Sequence, residues 1–175
     1  GISIWLVPAE NSPERTTLER LIASLANTHD APIFQPHITF ATFPSDLDVT
    51  RIESALAQVD LLRDIRFADV KTGSTFFQSV FISVVPDPVL EEHQTTVHDV
   101  LGLPKKTPEF PHISLFYGDH RKQEIADELR LSGIVKEVEG GISVAGLQGF
   151  KLAPPWIVLC DGPVSDWRVL KKLSH

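Results

Sequence analysis

Two short segments carry the residue types that acid/base chemistry at a phosphate needs: Pro36-His37-Ile38-Thr39-Phe40 and Pro111-His112-Ile113-Ser114-Leu115. Proline, histidine, isoleucine and a hydroxyl residue recur in that order, with the histidines 75 residues apart. An unperturbed imidazole titrates at ~6.5, so one histidine can take a proton from water while a second, charged, gives one to a leaving oxygen. A hydroxyl two positions along can donate to the non-bridging oxygens of a phosphate and support the charge that builds in the transition state. Opening a cyclic phosphodiester with water requires that combination.

A lone His-x-Thr is a weak signal, because histidines are often partly buried in ordinary packing. The second copy, with its matching proline and an equivalent place in the order of elements, carries the functional reading. His93 and His98 add two imidazoles on a predicted helix. Their spacing of five puts them on different sides, and neither motif has the neighbouring carboxylate or cysteine of a closed zinc site. They are read as solvated helix residues, and no catalytic metal and no cofactor are expected. His29, His120 and His175 fall in loops or ends and are given no role.

The elements that must position these residues alternate along the chain. Ile2 to Val7 reads as a strand from its β-branched and aromatic content, ended by Pro8. Ser12 and Pro13 then open a helix striped by Leu18, Leu21, Ile22 and Leu25. Ile38 to Phe43 is a strand, Pro44-Ser45-Asp46 a turn, and Val49, Ile52, Leu56 and Val59 mark a second helix. Strands at 65–73 and 76–84 join near Gly73, and Pro86 and Pro88 lead into a helix through Leu90, Val97 and Leu101. The second half repeats the order: a strand from Ile113 to Tyr117, a helix from Gln123 to Leu131, strands at 141–151 and 156–160, and a last strand through Trp167, Val169 and Leu170. Each motif opens a strand and precedes a helix. Residues i and i+2 of a strand share a face, so His37 projects with Thr39, and His112 with Ser114. No Pro/Gly/Ser-rich linker interrupts the order. The expectation is α+β, with residues 1–175 as a single domain of two pseudo-symmetric lobes whose motif strands face each other across a cleft.

Composition narrows the partners. The 175 residues are 42% hydrophobic and 22% charged, as in ordinary globular proteins. A formal charge of -7 and a pI near 5.4 argue against an extended nucleic-acid footprint, which depends on many Lys and Arg contacts to phosphates. A small anionic ligand remains compatible, since a local cluster of donors overcomes an unfavourable global field. The single cysteine, Cys160, lies in the apolar run Ile157-Val158-Leu159 and reads as a buried, inert thiol. No stretch reaches the ~18 apolar residues of a membrane span, and the first residues lack the pattern of a signal peptide.

The order and spacing of the paired motif resemble the two-histidine (2H) phosphoesterase superfamily, and within it the cyclic phosphodiesterase branch of fungi and plants. Ser3-Ile4-Trp5-Leu6-Val7-Pro8 resembles that branch's first strand, and the segment from Lys71 to Phe81 its central aromatic hairpin. The resemblance implies a bilobal fold with two antiparallel sheets facing across the catalytic cleft and helices outside. It implies metal-independent hydrolysis of ADP-ribose 1'',2''-cyclic phosphate and of nucleoside 2',3'-cyclic phosphates, opened on the 3' side to leave a 2'-phosphate, in the handling of tRNA-splicing by-products. The catalytic pairs carry over onto His37 with Thr39 and His112 with Ser114. His112 is taken as the base and His37 as the acid, their near-equivalence leaving the reverse open. Tyr117 matches a tyrosine that relatives place near the phosphate, Trp5 is positioned to stack on a base or cap the cleft, and Phe77 is a further aromatic candidate. A single cysteine rules out the disulfides of the plant members. Two other readings stand beside this one. An RNA-end processing member of the superfamily would use the same four residues on a longer substrate, against which the acidic charge counts. A nucleotide-sensing module would bind without turnover. The partner expected is a small cyclic phosphate bound by a monomer, in the cytosol by default or peripherally on the Golgi.

Overall fold

The computed structural model describes residues 1–107 and 109–174; His175 lies outside them. The chain runs β1 (Ile2–Leu6), α1 (Pro13–His29), β2 (Ile38–Phe43), α2 (Val49–Leu56), β3 (Asp64–Thr75), β4 (Gln78–Val84), α3 (Pro88–Leu101) and β5 (His112–Phe116). It continues through α4 (Lys122–Leu131), β6 (Val135–Val138), β7 (Gly141–Val144), β8 (Gly149–Lys151), β9 (Trp156–Leu159), a 3₁₀ turn (Val164–Asp166) and β10 (Arg168–Lys172). Local chemistry sets the boundaries. Ser12 Oγ accepts the Arg15 N–H at 3.2 Å ahead of α1, and Asp48 and Asp87 cap α2 and α3 in the same way. Pro13 and Pro88 stand in the first turns, where a missing N–H costs nothing. Gly102, at φ +68°, ends α3 in the left-handed conformation that favours glycine.

Eight strands form one antiparallel ladder in the order β10-β9-β1-β2-β5-β4-β3-β8, and β6 and β7 form a separate ribbon. Four strands lie on each side of the β2/β5 junction, which is held by a single register pair, Ile38 with Ile113. This corrects the expectation of two separate sheets facing each other. The motif strands lie side by side, because the two central isoleucines bridge their edges into one sheet. The strand expected over 141–151 is also divided. Ala145 and Gly146 take φ +50° and +85° and turn the chain, so that β7 pairs with β6 while β8 pairs with β3. At the far end of β3, a Cβ on Gly73 would fall 2.0 Å from the Gln78 carbonyl oxygen, so glycine is what lets the β3–β4 hairpin close.

Ile38 and Ile113 are fully buried, in one core cluster with Leu18 and Ile22 of α1, Ile52 of α2, Leu90 and Val97 of α3, and Ile125 and Leu129 of α4. Burying each such side chain contributes roughly 1.5–3 kcal/mol. Strand alternation therefore fixes where the motifs point. The isoleucines face the helices, while His37, Thr39, His112 and Ser114 take the opposite face. β1 divides in the same way: Ile2, Ile4 and Leu6 join the main core, and Trp5 and Val7 join a smaller cluster with Trp156 and Val158.

His98 corrects a second expectation. It is buried, its Nδ1 lies 2.9 Å from the Gln94 carbonyl, and its ring leans on Phe43. The inward stripe of α3 runs Leu90, Gln94, Val97, His98 and Leu101, and Gln94 donates from Nε2 to the Phe40 carbonyl at 2.9 Å. His93 is half-buried on the same helix, and His29 belongs to the last turn of α1 rather than to a loop. Among the described residues, no helix is long and apolar enough to cross a membrane.

Candidate active site

The Ile38–Ile113 bridge brings the two motifs together. In antiparallel register it sets His37 beside Ser114 and Thr39 beside His112, so each histidine neighbours the hydroxyl of the other motif. Such opposed side chains stand about 5 Å apart at Cβ and the diagonal pair, here the two histidines, about 7–8 Å, a span suited to one phosphate. Each motif strand also carries a bulge one residue beyond its hydroxyl. Trp5 pairs with Thr39 and Ile4 with Ala41, leaving Phe40 extra; Phe81 pairs with Ser114 and Val80 with Phe116, leaving Leu115 extra. Bulges of this kind re-aim side chains beside functional sites.

The histidines are held in mirrored fashion. His37 Nδ1 donates to the Gln35 carbonyl at 2.6 Å, and His112 Nδ1 donates to the Glu109 carbonyl at 2.9 Å. A proton fixed on Nδ1 leaves Nε2 of each neutral ring as the free base, and Nε2 is the nitrogen left for chemistry. Glu109 reaches its place at φ +51°, the left-handed region, which turns its carbonyl onto His112. His37 is braced further. Trp5 stacks on its ring at 3.7 Å between centroids and 8° between planes, and Phe34 meets it edge-on.

Behind His37 lies a buried guanidinium. Arg15 donates from Nη2 to Gln35 Oε1 at 2.5 Å, from Nη1 to the Pro8 carbonyl at 3.2 Å and from Nε to Glu19 at 2.7 Å, with the Trp156 ring 4.6 Å away. It thereby clamps the residue whose carbonyl orients His37. The surroundings also separate the two imidazoles electrically. Burial holds His37 down to about 4; its bond to the Gln35 carbonyl opposes this, and the positive charges of His112 and Arg15 reinforce it. His112, less deeply set, is lowered by burial but supported in its charged form by the Glu109 carbonyl and carboxylate.

All seven residues singled out from the sequence, His37, Thr39, His112, Ser114, Tyr117, Trp5 and Phe77, line one cavity of about 330 Å³. Ser114 Oγ donates to the Phe77 carbonyl at 3.3 Å, which ties the second motif to the tip of the β3–β4 hairpin. Tyr117 is buried with its ring stacked on Phe34 at 3.8 Å, and burial pushes its phenol well above the ordinary range, so it stays a neutral donor. Trp5 is buried with one face spent on His37. Phe77 is 49% exposed at the cavity mouth. Among the described lining residues there is no carboxylate, and Lys106 is the only lysine or arginine, although the chain has 23 acidic residues. The cavity is thus suited to an anion. Among the described residues, no group of three or more His, Cys, Asp and Glu is placed to hold a metal ion.

Sequence reasoning missed three contributors. Arg15 and Gln35 act from a helix and a loop with no motif to mark them. Trp167, just ahead of β10, reaches the cavity from the far edge of the sheet. Its place between a Gly162-Pro163 turn and a strand is the one local signal that an aromatic there sits at a loop end.

Residues 1–174 match the family model described as cyclic phosphodiesterase-like protein. A 2',3'-cyclic-nucleotide 3'-phosphodiesterase of Yarrowia lipolytica is 29% identical, over 97% of each chain. One of Kluyveromyces lactis is 25% identical, over 99% of this chain and 98% of its own. A cyclic phosphodiesterase of Arabidopsis thaliana is 30% identical, over 70% of this chain and 67% of its own.

Proposed function

We propose that this chain, which belongs to the cyclic phosphodiesterase-like family of the two-histidine phosphoesterases, hydrolyses nucleoside 2',3'-cyclic phosphates to nucleoside 2'-phosphates by acid/base catalysis between His37 and His112, without a metal. The observation that carries the reading is the mirrored lock on the imidazoles, each with Nδ1 bound to a backbone carbonyl and each histidine set across the strand register from the other motif's hydroxyl residue.

The chemistry follows from that arrangement. Water attacks phosphorus, Nε2 of His37 takes its proton, the bond from phosphorus to the 3' oxygen breaks, and Nε2–H of charged His112 protonates the departing oxygen. One water is consumed, and solvent exchange returns the proton from His37 to His112. Thr39 and Ser114 donate to the non-bridging oxygens, where charge accumulates. His37 is assigned as base because it is the more buried ring and has Arg15 nearby, both of which favour its neutral form; Glu109 favours the charged form of His112. This reverses the roles expected from the resemblance. Tyr117 serves as a neutral donor at the cavity floor, and Trp5 supports His37 rather than offering its face to a base.

The cavity volume of about 330 Å³ supports a small cyclic phosphate over an RNA chain, since ligand pockets begin near ~300 Å³. ADP-ribose 1'',2''-cyclic phosphate, a by-product of tRNA splicing, is the larger substrate we assign to the same site, its remainder leaving past Lys106. The matching bulges beyond Thr39 and Ser114 support descent of the two halves from one duplicated unit, forming one domain with two lobes. Incubation with 2',3'-cyclic AMP and with ADP-ribose 1'',2''-cyclic phosphate, followed by phosphorus NMR, tests the proposal. A 2'-phosphate from the nucleotide and a 1''-phosphate from the ADP-ribose compound are expected. A 3'-phosphate product would overturn the assigned cleavage, and nucleotide binding without turnover would turn the reading to a sensing module.

A further inference from the structure

Four aromatic rings line the cavity, and two of them have a face already committed. Trp5 lies flat against His37, with ring centroids 3.7 Å apart, and Tyr117 lies flat against Phe34 at 3.8 Å. Phe77 and Trp167 remain. They come from opposite halves of the sheet, Phe77 from the tip of the β3–β4 hairpin and Trp167 from the approach to the edge strand β10. Their centroids are 5.6 Å apart with 33° between planes, and both also meet Tyr117 edge-on. Both rings line the cavity that holds the two motifs.

We propose that Phe77 and Trp167 form a clamp that receives the flat base of the substrate and sets the preference for nucleosides over base-free cyclic phosphates. The inference rests on the reading of this site as a cyclic phosphodiesterase. Aromatic faces stack on any base, so these two rings receive a base without selecting among bases. Trp167 is the fixed wall. Its Nε1–H donates to the Gly162 carbonyl at 3.2 Å, and its ring is backed by Trp5 at 6.2 Å. Phe77 is the wall that moves, being 49% exposed in the turn between two strands. A base held between two rings needs about 7 Å, twice a carbon–carbon contact, so the present 5.6 Å must widen by about 1.4 Å as the hairpin tip swings out. The tip is tied to the chemistry, because the Phe77 carbonyl holds the Ser114 hydroxyl at 3.3 Å, and moving it releases that proton toward the phosphate.

The test compares kcat/KM for 2',3'-cyclic AMP with that for methyl riboside 2,3-cyclic phosphate, which has the same reacting ring and no base. Stacking on one aromatic face contributes about 1–3 kcal/mol, so the wild type should prefer the nucleotide by about tenfold or more. Trp167→Ala should bring that ratio close to one, and Trp167→Phe should retain part of it. Phe77→Ala, at an exposed tip where truncation leaves the core intact, should reduce the ratio in the same direction. A ratio unchanged in both alanine variants, or a wild type with no preference, overturns the clamp while leaving the phosphodiesterase reading in place. A wild type that turns over neither compound overturns that reading, and the clamp with it.

Discussion

His37→Gln offers a direct measure of how strongly the fold holds its base neutral. Glutamine keeps roughly the size of the imidazole and can still donate to the Gln35 carbonyl, but it does not titrate. In the unfolded chain His37 binds a proton below ~6.5, whereas in the folded chain burial keeps it unprotonated down to about 4. Between those values the unfolded state binds more protons, so stability rises with pH; the contribution is present in full above ~6.5 and is lost as pH falls to about 4. At roughly 1.4 kcal/mol per pH unit, the loss across this window is about 3 kcal/mol. Urea unfolding of both proteins at intervals from pH 7.5 to ~4 provides the assay. Carboxylate titrations and that of His112 are common to the two chains, so the difference between the curves isolates His37. The wild type should lose about 3 kcal/mol more than the variant across that range. Parallel curves would show that His37 titrates normally in the fold and would remove the electrostatic basis for calling it the base.

Ser114→Ala should lower kcat about a hundredfold or more with little change in unfolding free energy, since in the proposed mechanism its Oγ is one of two donors to the charge of the transition state and in the structure it holds only the Phe77 carbonyl. A loss confined to KM would contradict that role. Trp5→Ala, which removes the ring stacked on His37, should cost about 3–5 kcal/mol in urea unfolding, whereas Trp5→Phe should recover much of it. Equal losses in the two variants would show that the stacked face contributes little. A 2',3'-cyclic nucleotide with sulfur at the 3' bridging position has a leaving group that needs no proton. It should restore turnover to His112→Ala and leave His37→Ala inactive; rescue of the His37 variant instead would return the roles of acid and base to the order first expected.

The grouping of the two His-x-Thr/Ser motifs on one face was legible because period-two alternation and a repeated Pro-His-Ile-hydroxyl order are local properties of sequence. Ile38 and Ile113 had to face a core, which sent the histidines to the other side. Which strands would be neighbours was not legible. Strand pairing is a long-range choice, and the single Ile38–Ile113 bridge that joins the halves leaves no local trace. The four residues Val135 to Val138 went unseen because so short a ribbon strand sends only Val135 fully into the core and leaves Lys136 and Glu137 exposed, too little to impose a pattern, and the chain reversal at Ala145 uses a residue that rarely takes positive φ. His98 was misjudged because a polar residue on the inward stripe of α3 finds its partner within the helix, at the Gln94 carbonyl. Arg15 carries no mark in the sequence, standing ahead of the apolar stripe of α1 rather than in it. It is buried because the Pro8 carbonyl, Gln35 and Glu19 together receive its donors, partners that only the fold assembles.

The most direct test of the account is turnover of 2',3'-cyclic AMP in excess EDTA by the wild type, His37→Ala and His112→Ala. Wild-type hydrolysis should be undiminished by the chelator and kcat should collapse in both variants, because in the proposed mechanism each Nε2 performs a proton transfer that the other cannot replace. Wild-type activity abolished by EDTA, or either variant retaining most of its rate, would contradict the two-histidine mechanism.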